Sequence, residues 1–166
     1  METGQTRPLP KSLTDLDKQV LKATRRYQVG DPSHQFVLEM DESVASEILI
    51  DQQRIIQVLE NLISNAVKYS PSGSRIAIST RRNGDYALVS IMDQGVGMTA
   101  EQVARVFDKF YRVDASNTAI KGLGMGMSIV QNIIHAHDGT IDISSVPGVG
   151  TTVTFALPLS FPVSLQ

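Results

Sequence analysis

The sequence predicts an α/β (α+β) two-layer sandwich, a mixed β-sheet covered on one face by helices. Three observations lead there: a long amphipathic helix before the middle of the chain, a strand-turn-strand unit directly after it, and a further helix followed by two strands. Residues 1–10 carry two prolines, a glycine and several polar side chains, and are expected to be extended. From Ser12, Leu13, Leu16, Val20 and Leu21 recur at helical spacing until Gly30, Asp31 and Pro32 stop the pattern, which predicts a short helix and a turn. Residues 35–40 and 47–50 are β-prone runs compatible with a hairpin.

Asp51 is placed to cap the best-determined element, a helix over residues 52–68. At about 100° per residue, Ile55, Ile56, Leu59, Leu62, Ile63, Ala66 and Val67 share one broad arc. Asn61, Asn65 and Lys68 fall within about 60° of one another on the opposite side. Residues 70–73 (SPSG) end the helix, and residues 75–80 and 86–92 read as strands joined at Asn83-Gly84. A glycine loop, a helix over residues 99–106 and an aperiodic polar segment over residues 114–121 follow. Residues 122–126 then lead into a helix ending near His137, and strands over residues 140–145 and 151–157 flank a turn at Pro147-Gly148.

Composition narrows the function. The chain has 166 residues, enough for a single core without staples, and 42% are hydrophobic with a net charge of −2. No basic surplus offsets a phosphate backbone, so nucleic acid is not an expected partner. The absence of cysteine excludes disulfides and thiolate metal sites, in keeping with a reducing, cytoplasmic setting. No apolar run approaches the roughly 18 residues needed to span a bilayer, and no membrane contact is expected of this segment.

Three constellations can carry chemistry. The Asn61, Asn65, Lys68 stripe fits a solvated helix face, but such a face usually takes Glu, Lys or Gln, and asparagine is a poor interior helix former. Two amides one turn apart suit a hard cation such as Mg²⁺, which needs one or two protein oxygens when phosphates supply others. Asp93-Gln94-Gly95-Val96-Gly97 puts a carboxylate at a strand end with two glycines behind it. It serves either a tight turn or an acceptor for an exocyclic amine, over which the chain passes without side-chain clashes. The dinucleotide fingerprint G-x-G-x-x-A also fits residues 95–100, with Asp114 as the ribose acid, but residues 107–112 do not resemble the second parallel strand that this pattern requires. Third, Gly122-Leu123-Gly124-Met125-Gly126 opens a helix, where free amides and the helix dipole favour an anion. A flexible hinge would use the same glycines.

Taken in order, these motifs resemble the catalytic domain of histidine kinases, in the superfamily that includes DNA gyrase, heat-shock chaperone and mismatch-repair ATPases. NLISNAVKY (residues 61–69) looks like its N box, residues 93–97 its first glycine box and FDKFYR (residues 107–112) its F box. Residues 122–126 look like the second glycine box, and Gly148-Val149-Gly150-Thr151 like the last. The resemblance runs over residues 13–159 and implies the Bergerat ATP-binding fold, with ATP and Mg²⁺ as cofactors. It implies Asn65 as metal ligand with Asn61 beside it, Lys68 on phosphate, Tyr69 stacked on adenine, and Asp93 accepting from the adenine amine with Gly95, Gly97 and Thr151 around it. Arg112 and Lys109 would stabilise the transferring phosphoryl, and Gly122, Leu123, Gly124, Met125 and Gly126 would hinge a lid (residues 114–121) and bind phosphate.

Family ATPases carry a glutamate where this chain has Asn61; an amide takes no proton, so phosphotransfer is expected rather than hydrolysis. A serine kinase of the anti-sigma type would also carry that glutamate, and a nucleotide-binding pseudokinase is the other alternative. The resemblance further implies an acceptor histidine on a dimerisation domain, a response-regulator receiver domain as partner, and a monomeric isolated domain that is homodimeric in the full-length protein. His34, His135 and His137 are expected to be structural or surface residues. The expected division is a linker or truncated end of the dimerisation helix (1–11), the ATP-binding domain (12–160) and a tail (161–166).

Overall fold

A computed structural model describes residues 9–30, 33–41, 48–109, 111 and 126–159. Five strands form a mixed sheet: β2 (Gln35–Met40), β4 (Arg75–Asn83), β5 (Tyr86–Asp93), β6 (Thr140–Val146) and β7 (Gly150–Pro158), in the order β2-β4-β5-β7-β6. The β2–β4 pair is parallel and the others are antiparallel. Strands β1 (Ser12–Thr14) and β3 (Ile48–Ile50) make a separate antiparallel pair. The helices are α1 (Leu16–Gly30), α2 (Gln52–Tyr69), α3 (Ala100–Arg105) and α4 (Gly126–Ala136).

The two-layer expectation holds, and period-2 patterning explains it. Along β4, Ile76, Ile78 and Thr80 point inward; along β5, Ala87, Val89 and Ile91 do so, and the alternate residues lie on the more open face. Onto the inner face pack Leu16 and Val20 of α1, Ile55, Leu59 and Ile63 of α2, and Val130 and Ile134 of α4, all buried. Each such side chain contributes roughly 1.5–3 kcal/mol by leaving water.

Two local expectations are corrected. The two β-prone runs do not form the expected hairpin: β2 joins β4 in parallel register, and β3, Ile48–Ile50, joins β1. The first helix begins at Leu16, not Ser12, because the Asp15 carboxylate accepts from the Lys18 N–H at 3.1 Å and caps it there. Leu13, counted toward the helical face, lies 59% exposed on β1.

Helix α2 starts as expected, with the Asp51 side chain accepting from the Arg54 N–H. Its other end of support is His137, which is buried. Its Nδ1–H donates to the Ile133 carbonyl at 2.8 Å and its Nε2 accepts from the Asp51 N–H at 3.0 Å, fixing the tautomer and tying the end of α4 to the start of α2. His34 also bridges elements, with Nε2 3.3 Å from the Ser70 carbonyl after α2, and His135 is exposed on α4.

Candidate active site

A cavity of about 160 Å³ lies between α2, the end of β5 and its following loop, β7 and the first turn of α4. It brings together six residues expected from the sequence: Asn65, Tyr69, Asp93, Gly97, Gly126 and Thr151. Of the polar stripe of α2, Asn65 borders this cavity together with Leu62 and Ala66.

Asp93 ends β5 opposite Thr151 of β7, a placement dictated by the antiparallel register. Its Oδ1 accepts the Gly95 N–H at 2.8 Å and the Thr151 N–H at 3.3 Å, which leaves Oδ2 as the oxygen offered to the cavity. Burial raises the Asp93 pKa above the ordinary carboxylate value, and the two N–H donors pull it back only in part. Gly95 sits behind this carboxylate, where a Cβ would lie 2.4 Å from the Tyr69 carbonyl oxygen. The close approach lets the Val96 N–H donate to that same carbonyl at 3.2 Å, joining the end of α2 to the loop. Gly97 has φ +70°, and a Cβ there would stand 2.0 Å from the Val146 carbonyl oxygen, so glycine is required twice over.

At the helix end, the Asn65 Nδ2 donates to the Met127 sulfur at 3.7 Å, which turns Oδ1 into the available ligand atom. An amide oxygen suits Mg²⁺, and no group of three or more His, Asp or Glu that could cage a metal occurs among the described residues. The donor set thus fits a cation that draws most of its ligands from phosphate and water. A Cβ added at Gly126 would be 4.0 Å from Asn61 Oδ1, which puts Asn61 at the start of α4. Glu60, the adjacent carboxylate, pairs instead with Arg26 of α1, and its carbonyl accepts from the Tyr27 hydroxyl. It is directed away from the cavity.

Lys68 is exposed, its ammonium 5.5 Å from the Tyr69 ring centroid, and does not line the cavity. Lys109 is exposed just beyond α3 and is likewise not in the wall. Arg112, Gly122, Leu123, Gly124 and Met125 lie outside the described residues, as do residues 114–121.

Several residues escaped the sequence reasoning. Met98, Tyr111 and Met127 line the cavity, and the Arg105 guanidinium stacks 4.4 Å from the Tyr111 ring centroid. Tyr111 stood inside a recognised motif and could have been inferred from it. Behind the wall, the Ser145 Oγ accepts from the Met98 N–H at 2.7 Å and lies 3.0 Å from the Gly150 carbonyl oxygen and 2.8 Å from Thr151 Oγ1. A serine in a strand gives no local signal of such a role.

Against known proteins, the model of the histidine kinase-, DNA gyrase B- and HSP90-like ATPases matches residues 50–160. The sensor-like histidine kinase SenX3 of Mycobacterium tuberculosis is 39% identical over 145 residues, covering 87% of this chain and 35% of that protein. The sensor histidine kinase WalK of Bacillus subtilis is 46% identical over 112 residues, covering 66% of this chain and 18% of that protein. The chain thus spans about a third of the length of SenX3 and less of WalK. Among solved structures, the Acinetobacter baumannii histidine kinase AdeS superposes with a TM-score of 0.70 at 28% identity, covering 95% of this chain and 71% of that one.

Proposed function

Because this chain belongs to the histidine kinase-, DNA gyrase B- and HSP90-like ATPase family, we propose that its cavity holds Mg-ATP and presents the γ-phosphate to a histidine on a separate dimerisation domain. The carrying observation is that one cavity has a half-buried carboxylate at one end, an amide oxygen at the other and an aromatic residue in its wall. Asp93 Oδ2 accepts from the adenine amine, Tyr69 lies along the base, and Asn65 Oδ1, one helical turn or about 6 Å farther along α2, holds the metal. Mg²⁺ held there would neutralise charge on the phosphate oxygens. Asn61 supports Asn65, Lys68 and the amides of residues 122–126 hold phosphate, and Arg112 with Lys109 offsets charge on the transferring group.

Transfer is favoured over hydrolysis by the surroundings of Asn61. An amide occupies the place of a general base, and Glu60 is held by Arg26 on the far side of α2. The partners proposed are the histidine-bearing domain, which makes the full-length protein a homodimer, and a response-regulator receiver domain that accepts the phosphoryl. Cytoplasmic placement belongs to the same proposal; no described helix is long and apolar enough to cross a membrane.

The test mixes the chain with a separate histidine-bearing dimerisation domain of a homologous kinase and γ-labelled ATP. Acid-labile label on that domain is expected, and it should disappear in the acceptor His→Ala variant. ATP binding without transfer to any histidine domain tried would favour a pseudokinase.

A further inference from the structure

Ser145 does not line the cavity, yet its hydroxyl sits at the junction of three segments that build the base end. Hydrogen counting gives a wiring of that junction in which every group is satisfied. The Met98 N–H can only donate and the Gly150 carbonyl can only accept, whereas each hydroxyl has one proton. All groups are satisfied when Ser145 gives its proton to Gly150 and Met98 gives its proton to Ser145. In that arrangement the Thr151 hydroxyl donates to Ser145 as well, at 2.8 Å. With its proton committed behind the wall, Thr151 turns lone pairs toward the cavity that it lines.

We propose that Ser145 is a positioning residue for base selection: it locks the Thr151 hydroxyl as an acceptor beside Asp93 and clamps the loop after β5 to the β6–β7 hairpin. The cavity end then offers two acceptors, Asp93 Oδ2 and Thr151 Oγ1. Such an edge suits a base that donates through an exocyclic amine and disfavours one with a carbonyl at that position, because facing lone pairs repel and the half-buried acceptors lose their partner. The clamp acts alongside a backbone one, since the Gly148 N–H donates to the Val96 carbonyl at 2.7 Å and the Gly97 Cα packs on Val146. Losing Ser145 would therefore loosen the loop without releasing it. It would also free the Thr151 hydroxyl to rotate and donate, which is the polarity a carbonyl accepts.

The inference rests on the Mg-ATP reading, and its test separates the two. Calorimetric binding of ATP and inosine triphosphate, which replaces the amine by a carbonyl, is measured for the wild type, Ser145→Ala, the isosteric Ser145→Cys and the hydroxyl-retaining Ser145→Thr. Amide exchange at Met98 is followed in the same nucleotide-free chains. Ser145→Ala and Ser145→Cys are expected to lower the ATP-over-ITP preference about threefold to tenfold, with Ser145→Thr close to wild type. The Met98 amide should exchange faster in the first two. Equal weakening of both nucleotides would overturn base selection, as a purely structural role predicts no change in preference, and unchanged Met98 exchange would overturn the clamp. A wild type that binds neither nucleotide would end the Mg-ATP reading and base selection together, while Met98 exchange would still decide the clamp.

Discussion

The sheet end of the cavity and its helix end are held in different ways. At the sheet end, Asp93, Gly95, Met98, Ser145, Gly150 and Thr151 are bound to one another by hydrogen bonds of 2.7–3.3 Å that run between backbone and short side chains. At the helix end, Asn65 has a 3.7 Å contact to a sulfur, Asn61 stands near Gly126, and Lys68 is exposed. The first arrangement is held together by the protein's own groups, so on the proposed reading it would discriminate between bases at little ordering cost. The second is a set of side chains on helix surfaces whose geometry a metal and phosphates would complete. On the proposed reading, rigid selectivity sits on strands, and adaptable charge handling sits on helices.

By that contrast, substitutions at the sheet end should affect folding as well as binding, whereas those at the helix end should affect binding alone. The largest effect is expected of Gly97→Ala, which forces a side chain into positive φ and onto the Val146 carbonyl. A loss on the order of 3 kcal/mol in urea unfolding would reflect both. Next comes Asn65→Ala. Since groups merely supporting a metal ligand are worth up to about a hundredfold, loss of the ligand itself should weaken Mg-dependent ATP binding by at least about that factor. The melting temperature should barely move, because a contact to sulfur is all that is lost within the described residues.

Asp93→Asn should sharpen the comparison further. It removes a charged acceptor worth about 1.5–3 kcal/mol, so ATP affinity should fall roughly tenfold or more. Stability should hold or rise, for a reason visible in pH. The folded state raises the Asp93 pKa, chiefly by burial, so the fold holds this proton more firmly than the unfolded chain does. The resulting stability is fully present below the ordinary carboxylate value near 3.8 and is lost as pH rises through the folded value. Asparagine keeps an oxygen for both N–H donors and removes that loss, so the variant's stability should rise relative to wild type across this window when unfolding is measured against pH. In the wild type, ATP affinity should decline as the pH drops through the raised value. The smallest effect belongs to Arg26→Ala, which breaks an exposed ion pair with Glu60 worth about 0–1 kcal/mol and leaves ATP binding unchanged.

Much of this site was legible because its signals are local. The stripe of Asn61 and Asn65, the Asn83-Gly84 turn and the glycines at 95 and 97 each imply their geometry within a few residues of sequence. Pairing over distance was not legible. Strand β1 has three residues and exists only against β3, and β2 finds its parallel partner across the whole of α2, so neither run names its neighbour. Ser145 was hidden for the same reason: its partners lie 47, 5 and 6 residues away and meet it only once the sheet has formed. Lys109 shows the reverse case, a residue named by its motif that does not reach the cavity wall among the described residues.

In the proposed function, one cavity grips a base at its sheet end and a metal-bound polyphosphate at its helix end. Calorimetric titration of the chain with ATP, in magnesium and again with excess chelator, tests it most directly. Saturable one-to-one binding that weakens by about tenfold or more when magnesium is withdrawn is the expected result. Equal affinity in the two conditions, or no binding in either, would contradict it.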